Sequence, residues 1–166
     1  MFNQWLLPTT LLAAVGSGAM AGLLFAFSVF VMKSLSRLPP EQGLTAMQFI
    51  NVDIFNPAFI VLFCGTPLLC LLLGIRAVLS WQKPDSPLLL LGSARYLIGT
   101  LGVTVAFNIP LNNSIAAIRS SSALAPAAWQ SFVSSWMSWN HLRTGAAFAA
   151  ALSLTIAATL MRTRPS

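Results

Sequence analysis

The chain has few of the residues that keep the surface of a soluble protein hydrated. Of its 166 residues only 7% are charged, with three acids against nine Lys or Arg, while 57% are hydrophobic. A soluble domain has about a quarter of its residues charged, so this composition excludes the soluble globular class. Nucleic-acid binding is excluded as well, because the net charge of +6 is spread over loops and ends without a basic cluster. The expected solvent is the lipid bilayer.

Metal-ligating side chains are equally scarce, with two cysteines and one histidine in the whole chain. Cys64 and Cys70 lie six residues apart within one apolar run. On a helix they point to different faces, so they cannot form a disulfide with each other. One histidine and two such thiols do not make an ordinary zinc site, and no metal is expected.

Four long apolar runs fill most of the sequence. A membrane helix needs about 20 apolar residues, which predicts spans at residues 6–32, 57–79, 87–109 and about 136–161. The runs are continuous rather than alternating, which excludes barrel strands. Because backbone groups in lipid must be satisfied internally, we predict an all-α, integral membrane four-helix bundle, with residues 1–166 as one domain.

The first loop is predicted to hold a short interfacial helix from Pro40 to about Phe55, with Leu44, Met47 and Ile50 on one side. At the helix starts, a potential capping side chain stands before a proline. Asn56 precedes Pro57, and Asp85 precedes Ser86 and Pro87. These pairs predict N-caps for the second and third spans.

Basic residues set the expected orientation of this multi-pass membrane protein. Four spans place both termini and the second loop on one side, with Arg76, Lys83, Arg162 and Arg164. The other side carries Lys33, Arg37 and Arg119. The excess on the first side predicts cytoplasmic termini.

Two rows of small residues predict close helix packing. The first span has Ala14, Gly18 and Gly22, and the last has Gly145, Ala149, Ser153 and Ala157. Either row serves packing within the monomer or a homo-oligomer contact. His141 stands one step up the second row, so we expect it at the mouth of an inward face.

Alternating topology collects the unusual polar residues at one end of the bundle. The first loop, the end of the third span and the start of the fourth meet there. The candidates in this layer are Gln48, Asn51, Asn108, Asn112, Trp136, Trp139, Asn140, His141 and Arg143. Helix ends use such residues as caps and anchors too, so each has a structural alternative.

Arg143 is the hardest of these residues to assign to an anchor, because it lies a turn inside the fourth span. An intramembrane charge marks a functional site by default, although a long stem can also snorkel to the interface. Trp136, Asn140 and Arg143 fall within about 60° of arc, with His141 on another wall. A local cation–π contact with Trp139 is a structural alternative. Arg95, inside the third span, is interpreted as structural.

Three segments carry a family resemblance: Met47 to Asn51, Asn108 to Ala116, and Trp136 to Thr144. They are similar to the signature blocks of the anthrone oxygenase-like membrane family, and the likeness extends from about Gly18 to Met161 with the same four-span layout. The resemblance implies an oxygenase that converts an anthrone, a tricyclic phenolic ketone, to an anthraquinone with dioxygen. It implies no metal or flavin cofactor.

The resemblance, with the chemistry of an acidic methylene, suggests roles for the polar layer. His141 is expected to be the general base, since imidazole titrates near neutral pH. Asn140 and Arg143 would stabilise the anion, and Asn108 and Asn112 would complete the polar wall. The remaining substrate-binding candidates are Trp136 and Trp139, which would stack on the flat rings, with Gln48 and Asn51.

Three rival functions remain open from the sequence. A non-catalytic accessory or assembly subunit would use the same polar layer as a docking surface, with its amides and His141 facing outward. A transporter would need a polar path continuing below Arg143, where the fourth span offers only Thr144, Ser153, Thr155 and Thr159. A haem site would need a second strong ligand beside the histidine.

Overall fold

The computed structural model describes residues 3–162, with side chains from residue 5 onward, and this part of the chain folds into helices joined by short turns. Four helices are long and apolar enough to cross a bilayer. They are the first span (Trp5–Leu35), second span (Pro57–Leu79), third span (Ser86–Ala116) and fourth span (Ala125–Arg162). The prediction of an all-α, multi-pass four-helix membrane protein is confirmed.

The first and third spans are not α-helical throughout. The first consists of an α-helix at Asn3–Ala26, a π-helical segment at Phe27–Val31 and a last α-helical turn at Met32–Leu35. In the third, α-helices at Ser86–Ala94 and Ile109–Ala116 flank π-helical segments at Arg95–Gly102 and Thr104–Asn108. The wider turns displace the side chains that follow them around the helix axis.

The interfacial helix runs from Pro40 to Asp53, as predicted. It lies against an unpredicted extension of the fourth span, which begins at Ala125 rather than at 136. Buried Trp129 and Phe132 of this extension pack with buried Leu44 and Met47 of the interfacial helix. Mean hydropathy misses the extension because only one face of it is apolar. With the extension, the third loop is limited to residues 117–124.

The two predicted N-caps have different outcomes. The Asn56 side chain accepts a hydrogen bond from the Phe59 backbone amide at 3.1 Å, which confirms the first cap. The cap at Asp85 is wrong, since its backbone is already helical and its side chain makes no cap hydrogen bond. The buried Asp85 carboxylate instead lies 3.5 Å from the Arg76 guanidinium, where it ties the end of the second span to the second loop.

The predicted small-residue rows pack into the bundle only in part, since Ala14, Ser153 and Ala157 are buried but the glycines make no close contact. Gly18, Gly22 and Gly145 have no neighbour within 4 Å of the position a Cβ would take. The first span instead buries a face that includes Ala13 and Ser17. Successive residues on a helix are about 100° apart, so a one-residue offset turns the row away from the bundle.

The first span approaches the second span closely at Gly16, not at Gly18 as the sequence pattern predicted. A Cβ on Gly16 would overlap the Thr66 side chain of the second span. Buried Thr66 is the first residue along the second span to be fully enclosed. The first and second spans therefore touch most closely at this level.

Gly16→Ala is expected to lower the free energy of unfolding in detergent by about 1–3 kcal/mol, because the added methyl overpacks the contact with Thr66. The matched control is Gly18→Ala, where the methyl meets open space. That control should be neutral or stabilising by roughly 0.5–1 kcal/mol, since Ala is the better helix former. Equal unfolding midpoints for the two variants would contradict the packing described.

Candidate functional site: a buried guanidinium beside an aromatic cavity

A partly open cavity of about 120 Å³ occupies the end of the bundle where the polar layer was predicted. All four spans and the interfacial helix contribute to its walls. Most of the lining is apolar and rich in phenylalanine, and the polar side chains on it are Asn51, Thr104, Asn112, Trp136 and Arg143. A water molecule needs about 10–15 Å³ of such volume, so the cavity is large enough for a small organic group.

Arg143 is buried at this cavity and does not snorkel, with a relative exposure of only 6%. Its Nη2 donates to Asn140 Oδ1 at 2.7 Å, and its Nη1 donates to Thr104 Oγ1 at 3.1 Å. The guanidinium carbon lies 5.3 Å from the centroid of the Trp136 ring, a cation–π distance. The predicted alternative partner, Trp139, is not the one used.

Asn140 positions the guanidinium and does not itself line the cavity. Its amide nitrogen donates to the Leu24 carbonyl at 2.9 Å and to Ser28 Oγ at 2.8 Å. The Ser28 hydroxyl lies 3.1 Å from that of Thr144. Because both amide protons are engaged on the first span, the carbonyl oxygen is held in place to accept from Arg143.

The third span supplies a polar row at four-residue spacing: Thr100, Thr104, Asn108 and Asn112. The Thr104 hydroxyl accepts from Arg143 and donates to the Thr100 carbonyl at 2.6 Å. Asn112 Oδ1 accepts from the Trp136 indole at 2.9 Å, and Asn108 Nδ2 donates to the Trp136 carbonyl at 3.4 Å. The whole row therefore faces the fourth span.

Thr100, Thr104 and Ser28 are the site residues that sequence reasoning missed. All three lie in π-helical segments, and such segments are often found at functional sites. The regular spacing from Thr100 to Asn112 was a detectable signal. Ser28 had none, because a single serine in an apolar run is common.

Two buried polar atoms at this end of the bundle have no hydrogen-bond partner within the described protein: Arg143 Nε and Asn108 Oδ1. Of the two residues, only Arg143 lines the cavity. Its Nε–H is therefore a buried donor for which the described protein supplies no acceptor.

His141 does not face the cavity, and the expectation that it looks inward is wrong. Its side chain is exposed on the outer face of the fourth span. In a helix, each four-residue step advances by about 40°. The row that begins at His141 and Gly145 therefore starts on the outer face and becomes buried only at Ser153 and Ala157.

Three other candidates also lie away from the cavity lining. Asn108, predicted to complete the polar wall, is buried against the Trp136 carbonyl instead. Trp139 stacks on Phe107 of the third span, with centroids 3.7 Å apart and planes within 7°. Gln48 Nε2 donates to the Ile115 carbonyl at 2.7 Å and to the Ile118 carbonyl at 3.0 Å. Gln48 therefore secures the interfacial helix to the end of the third span. Asn51, by contrast, does line the cavity.

Arg95, interpreted from the sequence as structural, makes a hydrogen bond between two spans. Its side chain is exposed, and its Nη1 donates to the hydroxyl of Ser153 at 2.7 Å. The contact joins the third span to the fourth, away from the cavity lining.

Comparison with known proteins identifies the family of the chain. The family model for anthrone oxygenase matches residues 55–153, more than half of the chain, and the match contains Asn108, Asn112, Trp136, Asn140 and Arg143. The chain belongs to the anthrone oxygenase family. The resemblance seen in the sequence is thereby confirmed, and membership points to an oxygenase at the level of the family. No curated protein and no solved structure matches the chain.

The described residues of this family member contain no group of three or more His, Cys, Asp or Glu side chains arranged to hold a metal ion. The polar groups around its cavity are amides, hydroxyls, an indole and a guanidinium. Such groups bind and stabilise oxygen anions.

Asn140→Ala is expected to destabilise the protein by about 1–3 kcal/mol, because it removes the acceptor of a buried guanidinium N–H. Asn113→Ala is the matched control, an amide at the same end of the bundle that is exposed. Chemical unfolding in detergent measures both. An Asn140→Ala midpoint as high as that of the control would show that Arg143 does not depend on this contact.

Proposed function

We propose that the protein is a membrane-embedded, cofactor-independent oxygenase that oxidises an anthrone-like phenolic substrate to the quinone with dioxygen. The observation that carries the proposal is the Arg143 guanidinium, fixed by Asn140 and Thr104 at the edge of an aromatic cavity. Family membership supports the reaction class.

The reaction balances without an external reductant. Loss of a proton from the anthrone methylene gives an electron-rich, aromatic phenolate-like carbanion. Dioxygen takes electrons from this carbon and forms a C–O bond, and protonation gives a hydroperoxide. Loss of the remaining C–H proton, with cleavage of the O–O bond, releases water and leaves the second carbonyl of the quinone. One oxygen atom enters the product and the other enters water.

We assign Arg143 the role of stabilising the substrate anion. A guanidinium beside the substrate oxygen stabilises the phenolate form of the carbanion and so favours ionisation of the methylene. The hydrogen bonds from Arg143 to Asn140 and Thr104 hold it in place before the substrate arrives. A donor fixed in advance needs no rearrangement as the charge develops.

The aromatic lining fits a flat substrate. Phe27 lies 5.6 Å from Trp136, centroid to centroid, and both line the cavity. Asn51 and Asn112 line the cavity, and we assign them to hydrogen bonds with ring substituents. The apolar walls would also admit dioxygen from the bilayer and exclude bulk water from the reactive carbanion.

The side chains that line the cavity include no carboxylate and no imidazole. We propose that the methylene proton passes to a single water molecule admitted to the cavity, as the guanidinium stabilises the developing anion and bulk water stays excluded. His141 lies on the outer face and would act only on a substrate bound outside this cavity.

The accessory-subunit alternative has less support. It requires the amides to face outward toward a partner protein. Asn108 and Asn140 are instead buried, and Asn112 lines the cavity.

Arg143→Gln is expected to lower kcat for anthrone-dependent oxygen uptake by about 10²–10³-fold, the usual loss when an oxyanion donor is removed. The measurement uses purified protein in nanodiscs, with quinone formation followed by absorbance and subtraction of the protein-free rate. Arg95→Gln is the matched control, since Arg95 is exposed and bonds Ser153. The Arg95 variant should retain wild-type turnover. Full activity in Arg143→Gln would end the proposed assignment.

His141→Gln is expected to turn over at close to the wild-type rate, because the imidazole is exposed and does not line the cavity. Loss of a true general base typically lowers the rate by about 10²–10⁴-fold. The same oxygen-uptake assay distinguishes these results. A loss of that size, with a normal unfolding midpoint, would restore His141 as the base and place the substrate elsewhere.

A further inference from the structure

The second span is packed into the bundle along only part of its length. Its buried residues are Thr66, Pro67, Cys70, Leu73 and Ala77. Residues 57–65, the part at the level of the cavity, include no buried side chain. This part of the second span is therefore loosely packed against the rest of the bundle.

The cavity-facing side of this loosely packed segment is a row of phenylalanines at four-residue spacing. Phe55, Phe59 and Phe63 all line the cavity. Phe55 meets Phe59 edge-on at 6.3 Å, and Phe59 stacks on Phe63 at 5.4 Å with planes 16° apart. Phe55 is 67% exposed, whereas Phe59 and Phe63 are half-buried. The row thus extends from the outside of the bundle into the cavity.

The facing edge is on the third span. The second span packs on the third through Ser86–Ala94 and Arg95–Gly102. Beyond this contact Ile109 lines the cavity while remaining 36% exposed. The second span has no comparable packing with Thr104–Asn108 or Ile109–Ala116, although both spans line the cavity. We call the region between Ile109 and the phenylalanine row, where the two spans share the lining without close packing, the gap.

Pro67 lies at the junction between the tightly and loosely packed parts of the second span. It is buried inside the helix and has no N–H to donate to the preceding turn, which Phe63 occupies. Helices bend at such positions. The loosely packed part therefore joins the packed part through a turn that lacks one backbone hydrogen bond.

We propose that the gap bordered by Phe59, Phe63 and Ile109 is the route by which a flat, uncharged aromatic molecule dissolved in the bilayer reaches Arg143. The identity of the molecule as an anthrone rests on the proposed function; the route itself does not. Its three bordering side chains are apolar, so a charged molecule would lose its hydration there without compensation. The substrate enters neutral and ionises only at the guanidinium.

The test follows binding of 9,10-anthraquinone, a flat uncharged probe, to the full-length protein in nanodiscs. Stopped-flow quenching of tryptophan fluorescence gives the association and dissociation rates. Ile109→Phe narrows the gap and should lower both rates by about tenfold, as constraints on access do, with the equilibrium Kd nearly unchanged. A residue that merely contacts the ligand would change Kd.

Two matched controls separate the route from general effects on the membrane surface. Val105→Phe places the same bulk on an exposed position of the third span, one turn away and outside the cavity lining. It should leave both rates unchanged. Phe59→Ala, which widens the gap, should raise both rates, whereas Val61→Ala on the exposed face of the second span should not.

The outcomes for the route and for the reaction are distinguishable. Unchanged rates in Ile109→Phe, a change in Kd alone, or no probe binding by the wild type would each overturn the route. Such results with intact anthrone-dependent oxygen uptake would leave the oxygenase proposal standing. If the association and dissociation rates of the probe change as expected but the protein shows no anthrone-dependent oxygen uptake, the route is supported and the proposed anthrone oxidation is contradicted.

Discussion

The hydrogen bond from the Arg143 guanidinium to the Asn140 side chain is the contact on which the rest of this bundle depends. A charged group inside the membrane is costly unless it is paired with polar partners. The two guanidinium contacts come from the fourth span, through Asn140, and the third, through Thr104. Asn140 is in turn held by the Leu24 carbonyl and Ser28 of the first span. Satisfying one buried cation therefore links three helices at one level, where lipid gives apolar side chains little reason to prefer one another.

The second span lies outside this polar network at the site, and its different packing gives the cavity its shape. It is fixed by close contacts such as that between Gly16 and Thr66, at the level where its buried residues begin. At the site it contributes phenylalanine rings rather than hydrogen bonds. A bundle with all four helices equally joined by polar contacts would have no loosely packed wall. The first, third and fourth spans, joined by the polar network, position the charge. The second span leaves room beside it for a ligand.

The polar groups at the site are of the kinds that stabilise an anion, and the lining contains no carboxylate and no imidazole. The polar lining is a guanidinium, amides, an indole and a hydroxyl, set among aromatic rings. For the proposed substrate, whose anion can reduce dioxygen, these groups would bind, ionise and shield the molecule. Membership of the anthrone oxygenase family points to an oxygenase at the level of the family.

Composition and the lengths of apolar runs determined the fold class, the four crossings, the interfacial helix and the Asn56 cap, because these depend on local hydropathy and local hydrogen bonding. Helix geometry likewise predicted that Trp136, Asn140 and Arg143 lie on the same side of the fourth span. Only the tertiary structure decided which neighbours they meet. The π-helical turns bring Thr104 and Ser28 to the site, and pairwise packing turns His141 and Gly18 outward. A sequence fixes the angle between two residues on one helix, but the rotation of that helix in the bundle is set by its contacts with the others.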